Sequence, residues 1–162
     1  MFSIRYASLA DIPLIRKLTF QIWPQTYAST LTQDQIDYML EMMYSETSLT
    51  KQMNEGAQFI IVYDHDKPVG FASFREIKPL TYKLHKIYIH PDQQGKGAGR
   101  FTIDHILGTI KESGAISLEL QVNRHNKARD FYEKLGFEVV EEADFDIGNG
   151  FFMNDYIMKK NV

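Results

Sequence analysis

The sequence from Leu84 to Arg100 reads Leu-His-Lys-Ile-Tyr-Ile-His-Pro-Asp-Gln-Gln-Gly-Lys-Gly-Ala-Gly-Arg. Its first half is rich in large apolar and aromatic side chains and predicts a strand, which Pro91 ends because proline donates no ladder hydrogen bond. Three glycines then alternate, and a helical apolar pattern follows them. A strand, a glycine turn and a helix N-terminus bring backbone N–H groups and the positive end of the helix dipole together. The stretch therefore predicts a site for a phosphate-bearing ligand.

The spacing of these glycines excludes two common phosphate sites. A P-loop requires G-x-x-x-x-G-K-[S/T], and no lysine here occupies that position. A dinucleotide-binding turn requires glycines at the first, third and sixth positions, but the sixth position counted from Gly95 is Arg100. The stretch is alternatively a plain connection between strand and helix. Because each glycine costs conformational entropy on folding, a binding role is the better explanation.

The pattern that remains is Gln94-x-x-Gly97-x-Gly99. It resembles the pyrophosphate loop of the Gcn5-related N-acetyltransferases, the GNAT family, which reads R/Q-x-x-G-x-G/A. The preceding Lys86-Ile-Tyr-Ile-His-Pro is similar to the cofactor strand of that family, and the segment from Asn123 to Phe137 looks like its second signature. The order of predicted elements is also similar to the family's over essentially the whole chain. The resemblance implies one GNAT domain, residues 1–162.

Hydrophobic periodicity predicts the order of elements without the resemblance. The order is a strand, two or three helices, three strands, a helix, a strand, a helix and two closing strands. We expect Pro24 to end or kink the first helix. These elements indicate an α/β fold with helices on both faces of the sheet. The resemblance adds a mixed, mostly antiparallel sheet of about seven strands that splays between the fourth and fifth strands.

Composition limits the classes of function. The chain contains no cysteine, which excludes disulfides, thiolate zinc sites and cysteine nucleophiles; we expect no metal site. A formal net charge of −3 argues against non-specific nucleic-acid binding. No run approaches the roughly 18 apolar residues of a membrane span, and no signal peptide is recognisable, so we expect a cytoplasmic protein that does not bind membranes.

The resemblance implies that the cofactor is acetyl-coenzyme A. The loop that would hold its pyrophosphate comprises Gln94, Gly95, Lys96, Gly97, Ala98, Gly99 and Arg100. The pantetheine arm would pair with the backbone of Ile87, Tyr88 and Ile89, which the splay leaves without a neighbouring strand. Asn126 would contact the cofactor, and its alternative role is to cap the helix that follows.

Tyr132 is the candidate general acid, because the family usually places a tyrosine at this helical position. Amine attack on the thioester expels a thiolate, and a tyrosine hydroxyl beside the sulfur would protonate it. Alternatively, Tyr132 packs in the core beside Phe131. The base is left open: Lys83 stands where relatives often carry a glutamate. His85, on the same face of a regular strand, is the first candidate; the others are Glu119, Glu76 and a relay of water molecules.

The acceptor is expected to bind after the first strand and near the last hairpin. Trp23, Tyr27 and Tyr44 are candidate pocket residues, in a region that resembles the PaiA-like branch of the family, which includes polyamine acetyltransferases. Acids nearby would attract a polycation, namely Asp34, Asp37, Glu41 and Glu46. The alternative is that the aromatic residues are core and the acids are a solvated helix face.

The expected function is transfer of an acetyl group from acetyl-coenzyme A to a primary amine on a small molecule, such as a polyamine. Two other functions stay open. One is acetylation of a peptide N-terminus or a protein lysine, and the other is a non-catalytic sensor of acyl-coenzyme A. A homodimer formed through the apolar last hairpin is also left open.

Overall fold

The computed structural model describes residues 1–162 and contains five α-helices and seven strands, all of which belong to one sheet. The strands are β1 Phe2–Tyr6, β2 Gln58–Asp64, β3 Lys67–Lys78, β4 Thr81–Ile89, β5 Ser117–Asn123, β6 Glu138–Gly148 and β7 Phe151–Asn161. The helices are α1 Ile12–Tyr27, α2 Gln33–Tyr44, α3 Glu46–Asn54, α4 Ala98–Glu112 and α5 Ala128–Lys134. Short 3₁₀ turns cover Leu9–Asp11 and Pro91–Gln93. The predicted order of elements is confirmed. None of the helices has both the length and the apolar character needed to cross a membrane.

The sheet is mixed, with the strand order β1-β2-β3-β4-β5-β7-β6. Every neighbouring pair is antiparallel except β4 and β5. Parallel neighbours need a crossover connection, and α4 supplies it here. The expected mostly antiparallel sheet is therefore confirmed, and the glycine loop and α4 connect the two strands of its one parallel pair.

The parallel pairing of β4 with β5 is short. It joins Thr81–Leu84 to Ser117–Leu120 and then stops, although β4 continues to Ile89 and β5 to Asn123. Beyond that point β5 pairs only with β7. The outer edge of β4 from His85 onward thus has no strand beside it, which confirms the expected splay between the fourth and fifth strands.

Two apolar clusters cover the two faces of the sheet. On one side, which we call the α1–α3 face, Trp23, Tyr44 and Leu49 pack against Phe71 of β3. On the other, the α4–α5 face, the buried side chains come from α4, α5 and the sheet, and include Ile103, Ile106, Tyr132, Phe137 and Met158. Helices on both faces are therefore confirmed.

Pro24 does not end the first helix, so that part of the prediction is wrong. Helix α1 runs on to Tyr27. Pro24 is exposed and lies in the last turn, where its ring points to solvent and the helix loses only one of its final backbone hydrogen bonds. This extension carries Tyr27 onto the same helix as Trp23.

Strand β4 contains a bulge at His85. Ser73 of β3 pairs with Lys86 and Phe74 pairs with Leu84, which leaves His85 without a partner. A bulge changes the face on which the following side chains lie. The assumption of a regular strand was wrong, and Lys86 rather than His85 shares the α1–α3 face with Lys83.

Candidate active site

A cavity of about 550 Å³ opens where β4 and β5 separate. Its walls come from α1, α2, β4, β5, the start of α5 and the β6–β7 hairpin. Its lining includes eleven of the residues singled out from sequence, whereas residues 95–100 lie outside it. The eleven are Trp23, Tyr27, Tyr44, Lys83, His85, Ile87, Tyr88, Ile89, Gln94, Asn126 and Tyr132. A largely apolar cleft with a few convergent polar groups is the usual form of a small-molecule site.

One wall of the cavity is an aromatic cluster. The Trp23 ring lies 4.7 Å from the ring of Tyr27, 5.4 Å from that of Tyr44 and 5.6 Å from that of Tyr88. The hydroxyl oxygens of Tyr27 and Tyr88 are 2.7 Å apart and share a hydrogen bond. Burial raises the pKa of Tyr27 to about 12 and the pKa of Tyr88 well above its ordinary value. The wall is therefore uncharged at neutral pH.

Tyr132 lies on α5 and reaches the cavity from the α4–α5 face. Its ring packs against Phe131 and Phe137, with centroids 5.3 and 5.8 Å away, so its packing role is real. The side chain is 8% exposed, and burial raises the pKa of its hydroxyl far above the ordinary value. This hydroxyl has no hydrogen-bond partner in the protein. A protonated, unengaged donor therefore borders the cavity.

The glycine loop forms a cradle of free backbone donors at the start of α4. Gly95 and Gly97 have φ of +77° and +86°, conformations that suit glycine. The first hydrogen bond of α4 runs from the Phe101 N–H to the Gly97 carbonyl, at 2.9 Å. The N–H groups of Ala98, Gly99 and Arg100 have no protein acceptor. Unpaired donors at a helix N-terminus fit a pyrophosphate.

Gly99 serves a second purpose, because α5 packs against it. A Cβ placed on Gly99 would lie 3.1 Å from the ring of Phe131. The absence of a side chain therefore lets α4 and α5 approach each other beside the loop. The exposed side chains of Lys96 and Arg100 add positive charge at the rim.

Asn126 caps the start of α5, which is one of the two roles that the sequence predicts for it. Its Oδ1 accepts a hydrogen bond of 2.9 Å from the backbone N–H of Ala128, at the start of α5. The residue also lines the cavity between β5 and α5. Its contact with the cofactor stays a prediction, and the two roles are compatible.

The candidates for the base differ sharply in position. Glu76 is exposed and accepts a hydrogen bond from the Leu80 N–H, and neither it nor Glu119 lines the cavity. His85 does line it, but desolvation and the nearby Lys83 and Lys86 lower the pKa of its imidazole to about 4. A group with so low a pKa is a poor acceptor for the proton of an ammonium.

Lys83 belongs to a polar chain that the sequence did not reveal. Its Nζ donates to the side-chain oxygen of Gln121 on β5, and Gln121 Nε2 donates to Asp155 Oδ2 on β7 at 3.2 Å. Asp155 is 2% exposed and is the only carboxylate in the cavity lining. Burial raises the pKa of this carboxyl. One signal was available, since Asp155 interrupts the apolar side of the closing strand between Met153 and Ile157.

The acidic residues of α2 lie outside the cavity. Asp34, Asp37 and Glu41 are exposed, and Asp37 accepts a hydrogen bond from Gln33. Glu46 is exposed at the start of α3, 3.7 Å from Arg16. The alternative reading, a solvated helix face, describes these four side chains.

The fold and the cradle together define an acyltransferase of the coenzyme-A-dependent class. The family model described as "Acetyltransferase (GNAT) domain" matches residues 27–159. The chain therefore belongs to the GNAT family, as the two motifs indicated. Its enzyme class is acyltransferase, and its cosubstrate is acetyl-coenzyme A. The free donors of Ala98, Gly99 and Arg100 fit the pyrophosphate of that molecule.

Several known proteins resemble the chain over most of its length. A spermidine N(1)-acetyltransferase of Thermoplasma acidophilum is 27% identical over 165 residues, 97% of this chain and 95% of the relative. The crystal structure of PaiA N-acetyltransferase from that organism, in complex with coenzyme A, has a TM-score of 0.83 with 23% identity over 100% of this chain and 99% of the other. The ribosomal-protein-S18-alanine N-acetyltransferase of Escherichia coli has a TM-score of 0.76 with 20% identity, covering 100% and 94%.

Replacing Gly97 by alanine tests the cradle. The left-handed conformation strains alanine by about 1–2 kcal/mol, and relief of that strain would turn the loop away from its binding geometry. We expect Gly97→Ala to raise the Kd for coenzyme A by about tenfold in calorimetry. Gly56→Ala is the control, since Gly56 also has a positive φ of +104° with no atom near its missing Cβ. Equal Kd values for the two variants would contradict a role for the loop in binding.

Proposed function

We propose that the protein acetylates the primary amine of a small molecule by direct attack on acetyl-coenzyme A within the cavity of the splay. The amine nitrogen bonds to the acetyl carbonyl carbon, the carbon–sulfur bond breaks, the nitrogen gives up a proton and the thiolate receives one. The observation that carries the proposal is the cavity itself. It joins the unpaired edge of β4 to an aromatic wall, with Tyr132 and Asp155 on its borders.

The closed side of the cavity favours a small acceptor over a peptide or protein. Tyr38 of α2 donates a hydrogen bond of 2.7 Å to the carbonyl of Ile147, and Gln35 Nε2 donates one of 2.9 Å to the carbonyl of Phe152. These bonds tie α2 to the β6–β7 hairpin, and both elements line the cavity. A peptide acceptor needs an open groove here, and this bridge crosses the place where the groove would run.

Tyr132 is proposed as the general acid. Its hydroxyl is protonated and has no partner in the protein, so it is available to donate to the leaving sulfur. General acid–base catalysis by one positioned side chain contributes about 10²–10⁴-fold to rate. The splay places the expected pantetheine strand and α5 on either side of the same cavity, which supports this assignment.

Asp155 is proposed to bind the acceptor's ammonium and take its proton. An amine of pKa about 10 must be deprotonated before it attacks. A buried carboxylate with a raised pKa holds a proton better than an exposed one. Lys83 and Gln121 orient it through the polar chain, so the lysine supports the carboxylate from the position where relatives often carry a glutamate.

A polyamine is the second candidate acceptor, because the similar Thermoplasma acidophilum protein is named a spermidine N(1)-acetyltransferase. A polycation is bound best by several carboxylates. The cavity lining has one, Asp155, and it also contains the ammonium groups of Lys83 and Lys86. The sequence relationship supports this candidate, and the charges of the cavity do not.

Thiol release from acetyl-coenzyme A over a panel of amines tests the function. The panel holds simple monoamines, amino acids, spermidine, spermine and short peptides. We expect turnover with small amines and none above background with peptides. Polyamine rates no higher than those of monoamines would remove the polyamine candidate. Coenzyme A binding without turnover on any amine would favour the sensor function instead.

Replacing Tyr132 by phenylalanine removes the hydroxyl and keeps the ring that packs on Phe131 and Phe137. We expect kcat to fall by about 10²-fold with the Kd for coenzyme A unchanged, because the lost group acts only on the leaving sulfur. Tyr63→Phe, which removes a hydroxyl on the distant strand β2, is the control. A kcat within twofold of the unchanged protein would show that the acid is another group.

Replacing Asp155 by asparagine should separate activity from stability. We expect kcat/KM to fall by about 10²-fold. Since burial raises the carboxyl pKa above its unfolded value, its ionised form opposes folding at neutral pH, and Tm at pH 7 should equal or exceed that of the unchanged protein. In the unchanged protein, kcat/KM should fall on the acid side at a pH above the ordinary pKa of an aspartate, because the pKa of Asp155 is raised. This fall should be absent in Asp155→Asn. Asp66→Asn, an exposed change in the turn between β2 and β3, should alter neither property. A normal rate for Asp155→Asn would exclude Asp155 as the base.

A further inference from the structure

Lys86 is a buried cation for which the protein supplies no counter-ion. The residue is 8% exposed, and its Nζ lies 4.7 Å from the centre of the Tyr44 ring. The Lys86 ammonium forms no hydrogen bond or salt bridge with the protein, and its side chain lines the cavity. Burial and the neighbouring Lys83 lower the pKa of this ammonium to about 8, so it stays mostly charged at pH 7.

The fold does not explain this charge. Burial of an ammonium is unfavourable unless it is paired, and attraction to one aromatic face offsets only part of the penalty. Methionine would fill the same space against Tyr44 without a charge to desolvate. A charge that the fold does not use, and that faces a binding cavity, indicates an anionic group on the bound ligand.

The position of Lys86 favours the acceptor over the cofactor as the source of that anion. The phosphates of acetyl-coenzyme A are expected at the glycine loop, which follows the end of β4 and Pro91, whereas Lys86 lies within β4. Lys86 projects onto the α1–α3 face, toward Tyr44, whereas Ile87 packs with the cluster of the α4–α5 face. The bulge at His85 produces this orientation.

Asp155 supplies the opposite charge on the other wall. It belongs to β7, where it pairs with Asn123 of β5, so the splay separates it from Lys86 on β4. The two side chains form no ion pair with each other. The Lys83 ammonium is bound to Gln121, so Lys86 is the cavity lysine without a hydrogen-bond partner. A cavity that offers this cation and the Asp155 anion on separate strands is complementary to a ligand that carries both charges.

We propose that the acceptor is an amine that also bears a carboxylate, an amino-acid-like zwitterion. Its carboxylate binds the Lys86 ammonium, and its amine lies at Asp155. This inference rests on the proposed acetylation of a small amine and names the class of molecule that receives the acetyl group. It also gives a role to a buried lysine in the cavity of a chain that is 27% identical to a spermidine acetyltransferase.

Matched pairs of acceptors test the proposal: amino acids of several chain lengths and the corresponding carboxamides, compared by kcat/KM in the thiol-release assay. One charged hydrogen bond gives about 10- to 100-fold preference for the carboxylate form. Lys86→Met should abolish that preference by raising KM for the acid, with KM for acetyl-coenzyme A unchanged. Lys86→Arg should retain part of it, and Lys111→Met, an exposed change on α4, should retain all of it.

The outcomes separate this proposal from the function on which it rests. Turnover of acids and amides at equal rates would overturn the proposal and leave amine acetylation intact. So would a preference that survives Lys86→Met, or a Lys86→Met effect confined to KM for acetyl-coenzyme A. If Lys86→Met does not fold, the ratio of kcat/KM for acids and carboxamides on the unchanged protein is enough to test the proposal. No turnover with any amine would overturn the proposed function and this inference together.

Discussion

The early end of the pairing between β4 and β5 is the constraint on which the rest of the site depends. Strand β4 stays bonded to β3, while β5 stays bonded to β7 as far as Asn123 and Asp155. Two well-paired half-sheets therefore diverge from a short common seam. The divergence leaves one edge of β4 with unsatisfied backbone groups, which an amide-containing ligand can satisfy. It also opens the only route by which α5 and the α1–α3 face border one cavity.

The same divergence explains the unusual electrostatics of the cavity. Lys83, Gln121 and Asp155 bridge the narrow end of the splay by side-chain hydrogen bonds where the backbone bonds have stopped. Farther along, Lys86 and Asp155 stand on separate walls without pairing. Buried charges held apart in this way destabilise the folded chain, and they are retained where binding a ligand uses them.

Much of the fold followed from local sequence patterns. The glycine loop, the strand before it and the segment from Asn123 to Phe137 each consist of neighbouring residues whose spacing carries the information. They predicted a loop at the start of α4 and a helix that carries Tyr132, and the structure has both. The predictions that failed are those in which tertiary structure overrides a rule based on neighbouring residues. Pro24 stays within α1 because it is exposed in the last turn, and His85 falls on a bulge that the register with β3 imposes.

Two short motifs that resemble the GNAT family identified the family and implied the cosubstrate, and hydrophobic periodicity predicted the order of elements. Each of these signals lies within a few neighbouring residues of the sequence. Tertiary structure alone decided which charges meet in the cavity. Asp155 and Lys83 lie far apart in the chain, and they come together only because β7 inserts beside β5. Lys86 lies on the α1–α3 face only because the strand is bulged. Strand order and register are properties of the whole sheet, so no local pattern could assign Lys86 and Asp155, the two side chains proposed to bind the acceptor.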